Sequence, residues 1–200
     1  MKSVQHIRRR ALLSDPDLLP SALHPVLRRV YAARGISDAG QLAFGLAELQ
    51  RAEALTNLGL AASLLADACM QGRRILIVGD FDADGATSSA LAVLAFRAMG
   101  ADHVDYLVPN RFEYGYGLTP EIVKVALERR PDIIVTVDNG ISSLDGVLAA
   151  RQAGVDVVIT DHHLPGPVLP AADAIVNPNL PDDDFPSKCL AGVGVIFYVL

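Results

Sequence analysis

A short apolar run that ends in alternating aspartates constrains the fold of this chain more than any other feature. Residues Ile75–Val78 are all apolar, and they are followed by Asp80, Asp82 and Asp84. Such a run is typical of a parallel strand buried on both faces, and the small residues at 86–99 predict a helix directly after it. A strand-to-helix junction places the carboxylates at the carboxyl edge of a sheet, where open α/β folds bind ligands.

The same alternation continues along the chain. Further strands are predicted at Val104–Val108, Ile133–Val137, Val155–Thr160 and Ala174–Val176. Helices are predicted at Leu55–Cys69, from Thr119 to about Arg130, at Ser142–Ala153 and from Leu190 onward, with an irregular loop from 109 to Leu118. Strands that are nearly all apolar and alternate with helices predict an α/β fold, a parallel sheet of about five strands with helices on both faces.

The first 50 residues differ from this pattern. Prolines punctuate the segment after the basic cluster Arg8–Arg10, which we interpret as a solvated face, and Pro25–Ala33 predicts a short helix. We therefore expect a helical N-terminal arm at 1–50 and the α/β domain at 51–200. The apolar segment 192–200 carries no polar stop, so we expect that domain to be truncated at its C-terminus, as part of a longer protein.

Composition excludes several classes of protein. The formal net charge of −6 does not fit a basic nucleic-acid-binding module taken as a whole. Cys69 and Cys189 are too few for a disulfide framework and fit no zinc motif. No apolar run approaches the roughly 18 residues of a membrane span, and the polar N-terminus is unlike a signal peptide. We expect a cytoplasmic protein that does not associate with membranes.

The triple aspartate is expected to surround a cation, because crowded carboxylates repel one another. The segment Asp80–Gly85 also matches the start of an EF-hand loop, but Leu91 stands where that loop needs a bidentate Glu. A phosphatase with a nucleophilic aspartate is a second alternative. That chemistry needs a downstream lysine, and Lys124 is expected in mid-helix. A purely structural turn is the third alternative.

Two more polar clusters follow predicted strands. Asp138 precedes Asn139 and Gly140, which alone would indicate an ordinary turn. Asp161 precedes two adjacent histidines, His162 and His163, and these are hard to explain as surface residues. Strand ends of a parallel sheet meet at one edge, so the three clusters should converge.

Mixed carboxylate and imidazole ligands favour Mn²⁺, with Mg²⁺ as an alternative. Two such cations bridged by a shared aspartate activate water and clamp a phosphoryl oxygen, so the residues predict phosphoester hydrolysis.

Two further segments have weaker functional signals. The loop Pro109–Gly117 carries Arg111, which suits a phosphate, and aromatic residues that can stack on bases; an ordinary connector is the alternative. Asn177 and Asn179 flank a proline and could orient a ligand, although a plain turn explains them equally well.

Taken in order, the motifs Gly79–Ser88, Val137–Ser142, Thr160–His163 and Leu190–Val195 resemble those of the DHH phosphoesterases. The resemblance runs from about Arg73 to Leu200. It implies a hydrolase that degrades single-stranded DNA 5′-to-3′ in recombination and repair with Mn²⁺ or Mg²⁺, alongside a single-strand-binding protein and a helicase.

Carried over by position, the resemblance also implies roles for individual residues. It implies metal ligation by Asp82, Asp84, Asp138 and His162, with Asp138 as the bridge. It implies catalytic or supporting roles for Asp80, Asp161 and His163, and contacts of His163, Arg111 and Asn177 with substrate.

The resemblance also implies a further aspartate ligand and a second cleft domain downstream of the Leu190–Val195 motif, followed in one subfamily by an oligonucleotide-binding barrel. We therefore expect these 200 residues to be weak or inactive alone. The alternatives are a small-molecule phosphoesterase acting on pyrophosphate or a cyclic dinucleotide, and a non-enzymatic, metal-stabilised binding module.

Overall fold

The computed structural model describes residues 8–43 and 45–200, with the side chain of Arg111 left undescribed. Contacts divide the chain into two compact units, Met1–Leu49 and Gln50–Leu200. The first unit contains helix α1 (Pro25–Ala32), which the ring of His24 caps by accepting a hydrogen bond from the amide of Val26. Its described residues also form short 3-10 turns at Pro16–Leu18, Ala39–Leu42 and Leu46–Glu48.

The second unit is built on a five-stranded parallel sheet with the order β2-β1-β3-β4-β5. The strands are β1 (Ile75–Gly79), β2 (Val104–Leu107), β3 (Ile133–Val137), β4 (Asp156–Thr160) and β5 (Ala174–Val176). The predicted parallel sheet is confirmed. Its central strands β1 and β3 are buried along their whole length, as strands covered on both faces should be.

Helices cover both faces of this sheet. They are α2 (Leu58–Met70), α3 (Ala83–Ala98), α4 (Arg111–Tyr114), α5 (Pro120–Leu127), α6 (Leu144–Gln152) and α7 (Gly192–Val199). Alternate strand residues point to opposite faces. Ile75 and Ile77 therefore pack with α2, α3 and α7, whereas Leu76 and Val78 pack with α5 and α6.

The register of the strands brings the polar clusters to one edge. Gly79 pairs with Val137, Val137 with Thr160, and Thr160 with Val176. The residues that come next, Asp80, Asp138, Asp161 and Asn177, therefore follow four adjacent strands at the same level. The convergence predicted for a parallel sheet is confirmed.

The helix boundaries correct the sequence prediction in two places. α3 begins at Ala83, ahead of Gly85, because the carboxylate of Asp82 accepts a hydrogen bond from the Gly85 amide and caps the helix. Asp84 consequently lies in the first helical turn. The predicted irregular loop also contains the short helix α4, because the side chain of Asn110 accepts a hydrogen bond from the amide of Phe112.

Other boundaries match closely. Thr119 caps α5 as predicted, with its hydroxyl accepting from the amide of Ile122 at 3.3 Å. The α5 helix ends at Leu127, slightly before the predicted end, and Arg130 adopts a positive φ of 51°. Among the described residues, no helix is long and apolar enough to cross a membrane.

Candidate metal centre

Three carboxylates from two strand ends lie together at the carboxyl edge of the sheet. One oxygen from each of Asp80, Asp82 and Asp138 lies within 4.8 Å of the other two. Asp80 and Asp82 follow β1, and Asp138 follows the neighbouring strand β3. Carboxylate oxygens at this separation fit a divalent cation, which would also relieve their mutual repulsion.

A second group combines Asp138 with the two histidines. A ligand atom from each of Asp138, His162 and His163 again lies within 4.8 Å of the others. Asp138 belongs to both groups, so it stands where a carboxylate bridging two neighbouring cations would stand. The mixed oxygen and nitrogen donor set suits Mn²⁺, as the sequence predicted.

The carboxyl of Asp138 is buried but incompletely satisfied. Its residue is 1% exposed, and Oδ1 accepts no hydrogen bond of acceptable geometry, although Nε2 of His162 is only 3.0 Å away. Burial, followed by the charges of Asp84 and Asp82, raises the pKa of Asp138 to about 7. A buried acceptor with no hydrogen-bond donor, surrounded by negative charge, fits a position beside a cation.

Local backbone geometry holds Asp138 in this position. It adopts the left-handed conformation at φ 60°, and its amide donates to the carbonyl of Thr160 at 3.0 Å. The amide side chain of Asn139 donates to the carbonyls of Val78 and Val137, tying the ends of β1 and β3 together. The sequence analysis missed the role of Asn139, because Asp-Asn-Gly is also an ordinary turn signal.

A glycine at the start of α7 permits its close approach to this carboxylate. A Cβ atom at Gly192 would lie 2.7 Å from both Cβ and Oδ1 of Asp138. No real side chain could occupy that space without moving the carboxylate. The Leu190–Val195 motif, which entered the sequence analysis only through the resemblance, thus forms one wall of the site.

Asp161 organises the histidine segment. Its Oδ1 accepts from the amides of His162 and His163 and lies 2.7 Å from Nδ1 of His163, while Oδ2 accepts from the amide of Ile141. Burial alone would raise the pKa of Asp161, but the hydrogen bonds from His163 and the backbone outweigh it and lower that pKa. The hydrogen bond to Asp161 in turn raises the pKa of His163.

Asp84 is the predicted ligand that the structure places outside both groups. Its two oxygens accept hydrogen bonds from the amides of Gly192 and Val193, and its nearest approach to the histidines is 3.6 Å, to Nε2 of His162. The physical reason is the early start of α3, which turns Asp84 toward the N-terminus of α7. Asp84 therefore binds the backbone of the Leu190–Val195 motif, and its predicted metal ligation stays a prediction.

Asn177 is fully buried and its side chain donates to the carbonyl of His163 at 2.9 Å; its predicted contact with substrate stays a prediction. The predicted phosphate contact of Arg111 concerns a side chain outside the described part of the structure. Tyr116, from the same loop, was not singled out from the sequence. Its hydroxyl lies 3.3 Å from Nδ1 of His163, and the two rings meet edge to face.

Comparison with known proteins decides the family. The model of the DHH family, N-terminal domain, matches residues 74–200, almost the whole α/β unit. The chain belongs to the DHH family. Its resemblance to that family, stated from the motifs, is confirmed, and the acidic and histidine groups described above all lie within the matched DHH domain.

Relatives with assigned names extend the similarity beyond the DHH domain. The chain is 54% identical over 200 residues to the single-stranded-DNA-specific exonuclease RecJ of Escherichia coli (strain K12), covering 100% of this chain and 34% of that protein. It is 41% identical over 146 residues to RecJ of Thermus thermophilus, covering 73% of this chain and 21% of that protein. The chain thus spans about a third of the length of the E. coli protein.

Solved structures of RecJ proteins are similar to this chain in fold. A crystal structure of exonuclease RecJ bound to manganese matches with a TM-score of 0.68 and 39% identity, covering 76% of this chain and 38% of that one. RecJ from Thermus thermophilus in complex with Mn²⁺ also matches with a TM-score of 0.68, at 36% identity, covering 88% of this chain and 24% of that one. These similarities support the α/β assignment independently of the motifs.

Proposed function

We propose that this DHH domain is the metal-binding part of a single-strand-specific DNA exonuclease that uses Mn²⁺ or Mg²⁺. One observation carries the proposal: Asp138 is shared by a carboxylate group with Asp80 and Asp82 and by a mixed group with His162 and His163. Two cation positions that share one carboxylate are an arrangement that promotes in-line phosphodiester hydrolysis. The 54% identity to a named single-stranded-DNA exonuclease supports DNA as the substrate.

The ligands divide between the two positions. Asp82 and Asp80 would hold the first cation and His162 the second, with Asp138 between them. When bound, the cations would lower the pKa of a water molecule and neutralise developing charge on the phosphate. The residues of the chain supply the geometry, because the backbone of each ligand is fixed at the end of a buried strand or in the loop that follows it.

His163 has a different proposed role. Its raised pKa, caused first by the hydrogen bond to Asp161, keeps the imidazole protonated at higher pH than an isolated histidine. A protonated ring can donate a hydrogen bond to a phosphate oxygen. We therefore assign His163 to the scissile phosphate and Asp161 to holding its ring.

Other parts of the function rest on sequence similarity alone. Arg111 would bind a DNA phosphate as the strand enters, and digestion would run 5′-to-3′ in recombination and repair. A single-strand-binding protein and a helicase would be the partners that expose the strand. A DNA substrate agrees with the predicted cytoplasmic location.

The test uses the protein expressed from its complete reading frame. Oligonucleotides labelled at the 5′ or the 3′ end are digested with Mn²⁺ or with EDTA, beside double-stranded DNA, pyrophosphate and a cyclic dinucleotide. We expect Mn²⁺-dependent release of nucleotides from the 5′ end of single strands only. Asp138→Asn should abolish it, and Asp67→Asn, on the exposed surface of α2, should retain it.

Three results would contradict the proposal. Hydrolysis of only pyrophosphate or the dinucleotide would favour the small-molecule phosphoesterase. Stabilisation by Mn²⁺ without hydrolysis of any substrate would favour a binding module. Unchanged nuclease activity in Asp138→Asn would place the chemistry elsewhere.

A further inference from the structure

Two asparagines that follow β5 bind the backbone of the histidine segment, His162 and His163. The side-chain amide of Asn177 donates to the carbonyl of His163 at 2.9 Å, and that of Asn179 donates to the carbonyl of His162 at 2.6 Å. The two asparagines also bind each other, because the backbone amide of Asn179 donates to Oδ1 of Asn177 at 2.8 Å. Consecutive carbonyls of the ligand segment are thus bound by one short unit, which we call the asparagine clamp.

The opposite side of the same segment is held by Asp161. Its Oδ1 accepts from the backbone amides of both His162 and His163. The donors and the acceptors of the two histidine residues are therefore both fixed by side chains. A backbone held on both sides fixes the positions from which the two imidazoles extend toward Asp138.

The clamp is anchored to the rest of the domain. Asn179 also donates to the carbonyl of Lys188 at 3.2 Å, and the ammonium of Lys188 donates to the carbonyls of Pro178 and Asp183. The carboxylate of Asp183 accepts from the amide of Thr56, at the start of the segment leading into α2. Hydrogen bonds through Lys188 and Asp183 therefore connect the clamp to the segment that precedes α2.

We propose that Asn177 and Asn179 are positioning residues that set the affinity of the metal centre by fixing the backbone of His162 and His163. The inference rests on the proposed metal-binding function of His162. Neither asparagine is a catalytic residue, because their side chains bind backbone carbonyls. Groups that orient metal ligands in this way commonly change metal affinity or activity by about 10- to 100-fold when removed.

The experiment compares Asn179→Ala with Asn57→Ala in the protein from the complete reading frame. Asn57 is a matched control, since its side-chain amide donates to the carbonyl of Ile175 in β5 but touches no histidine. Asn57 also has a positive φ of 61°, so alanine there should cost at least as much stability. Mn²⁺ is titrated by calorimetry, and urea unfolding with EDTA measures stability.

We expect the Mn²⁺ dissociation constant of Asn179→Ala to rise about 10-fold or more, while that of Asn57→Ala stays at the wild-type value. Nuclease kcat should fall in Asn179→Ala with KM for DNA unchanged, and excess Mn²⁺ should restore much of it. Asn179→Ser, whose hydroxyl is too short to reach the carbonyl, should behave in the same way and serves if the alanine variant does not fold.

Unchanged Mn²⁺ affinity in a folded Asn179 variant would overturn the inference while leaving the proposed function intact. An equal loss of affinity in Asn57→Ala would also overturn it, because the effect would then be general destabilisation. If the wild-type protein itself bound no Mn²⁺, the proposed metal centre would fail first, and the inference with it.

Discussion

Oδ2 of Asp84 accepts a hydrogen bond of 2.7 Å from the backbone amide of Gly192, which lies 108 residues further along the chain. Oδ1 of the same carboxylate accepts from the amide of Val193 at 2.8 Å. A carboxylate at a helix N-terminus satisfies amides that have no partner within the helix and interacts favourably with the helix dipole. Asp84 thereby joins the first turn of α3 to the first turn of α7.

Asp84→Asn should destabilise the domain. The side-chain NH₂ group of asparagine is a donor and would face one of the two backbone N–H donors, which would lose its acceptor. We therefore expect the free energy of unfolding to fall by about 1–3 kcal/mol. Urea unfolding with EDTA measures this without metal binding. Asp67→Asn, on the exposed face of α2, is the control and should change stability by less than about 0.5 kcal/mol. Equal stability of wild type and Asp84→Asn would show that the cap contributes nothing.

The sequence predicted the sheet well for a specific reason. The strand Ile133–Val137 is apolar except for the buried Thr136 and is bounded by Asp132 and Asp138, so both of its ends match the prediction. The start of α3 was placed too late, because whether a carboxylate caps a helix or lies in its first turn depends on tertiary contacts. Asp84 has its contact in α7, far along the chain, and no local pattern reveals it.

The ionisation of Asp138 should lower the stability of the metal-free domain as pH rises from about 4 to about 7. The pKa of Asp138 is raised from 3.8 to about 7, so the folded state resists ionisation that the unfolded chain undergoes freely. The contribution of Asp138 is fully present below pH 3.8 and is lost as pH approaches about 7. The slope can reach about 1.4 kcal/mol per pH unit. Unfolding in EDTA across this range measures it.

Asp138→Asn is the control for that slope. Asparagine tolerates the positive φ of 60° and cannot ionise, so the variant should show a shallower dependence on pH. His163 has a raised pKa and adds a slope of the same sign near neutrality, but it is present in both proteins. Identical slopes in the wild type and the variant would mean that Asp138 titrates normally. Saturating Mn²⁺ should flatten the wild-type curve, because bound metal favours the ionised carboxylate.

Asp161→Asn should lower the pKa of His163. The hydrogen bond from Nδ1 to Asp161 is the largest cause that raises that pKa, and a neutral amide cannot replace it. Titration of the His163 imidazole by NMR in the wild type and the variant measures the change. The free energy of unfolding should also fall, by about 1.5–3 kcal/mol, because a charged acceptor of backbone amides is lost. An unchanged pKa of His163 would contradict the proposed pairing.

The sequence indicates the charged and imidazole groups of the site more clearly than the asparagines that hold the surrounding backbone. Asp138 and His162 stand out in the sequence because a charged or imidazole group follows an apolar run. Asn139 and Asn177 give weaker signals, since asparagine beside glycine or proline is also common in turns. Their role depends on which backbone carbonyls their side chains reach, and the register of the strands determines which carbonyls those are. The side chain of Asn177 meets the carbonyl of His163 because β4 and β5 pair in register.

Gly192→Ala should weaken metal binding by crowding. The new Cβ would lie 2.7 Å from Cβ and Oδ1 of Asp138, so either α7 or the carboxylate must move. We expect the Mn²⁺ dissociation constant to rise about tenfold or more, and overpacking to lower stability by about 1–3 kcal/mol. Gly59→Ala in α2 is the matched control, since a Cβ atom there would enter open space. This substitution should stabilise the protein by about 0.5–1 kcal/mol. Calorimetric titration with Mn²⁺ and urea unfolding measure both effects, and wild-type affinity in Gly192→Ala would show that α7 does not confine Asp138.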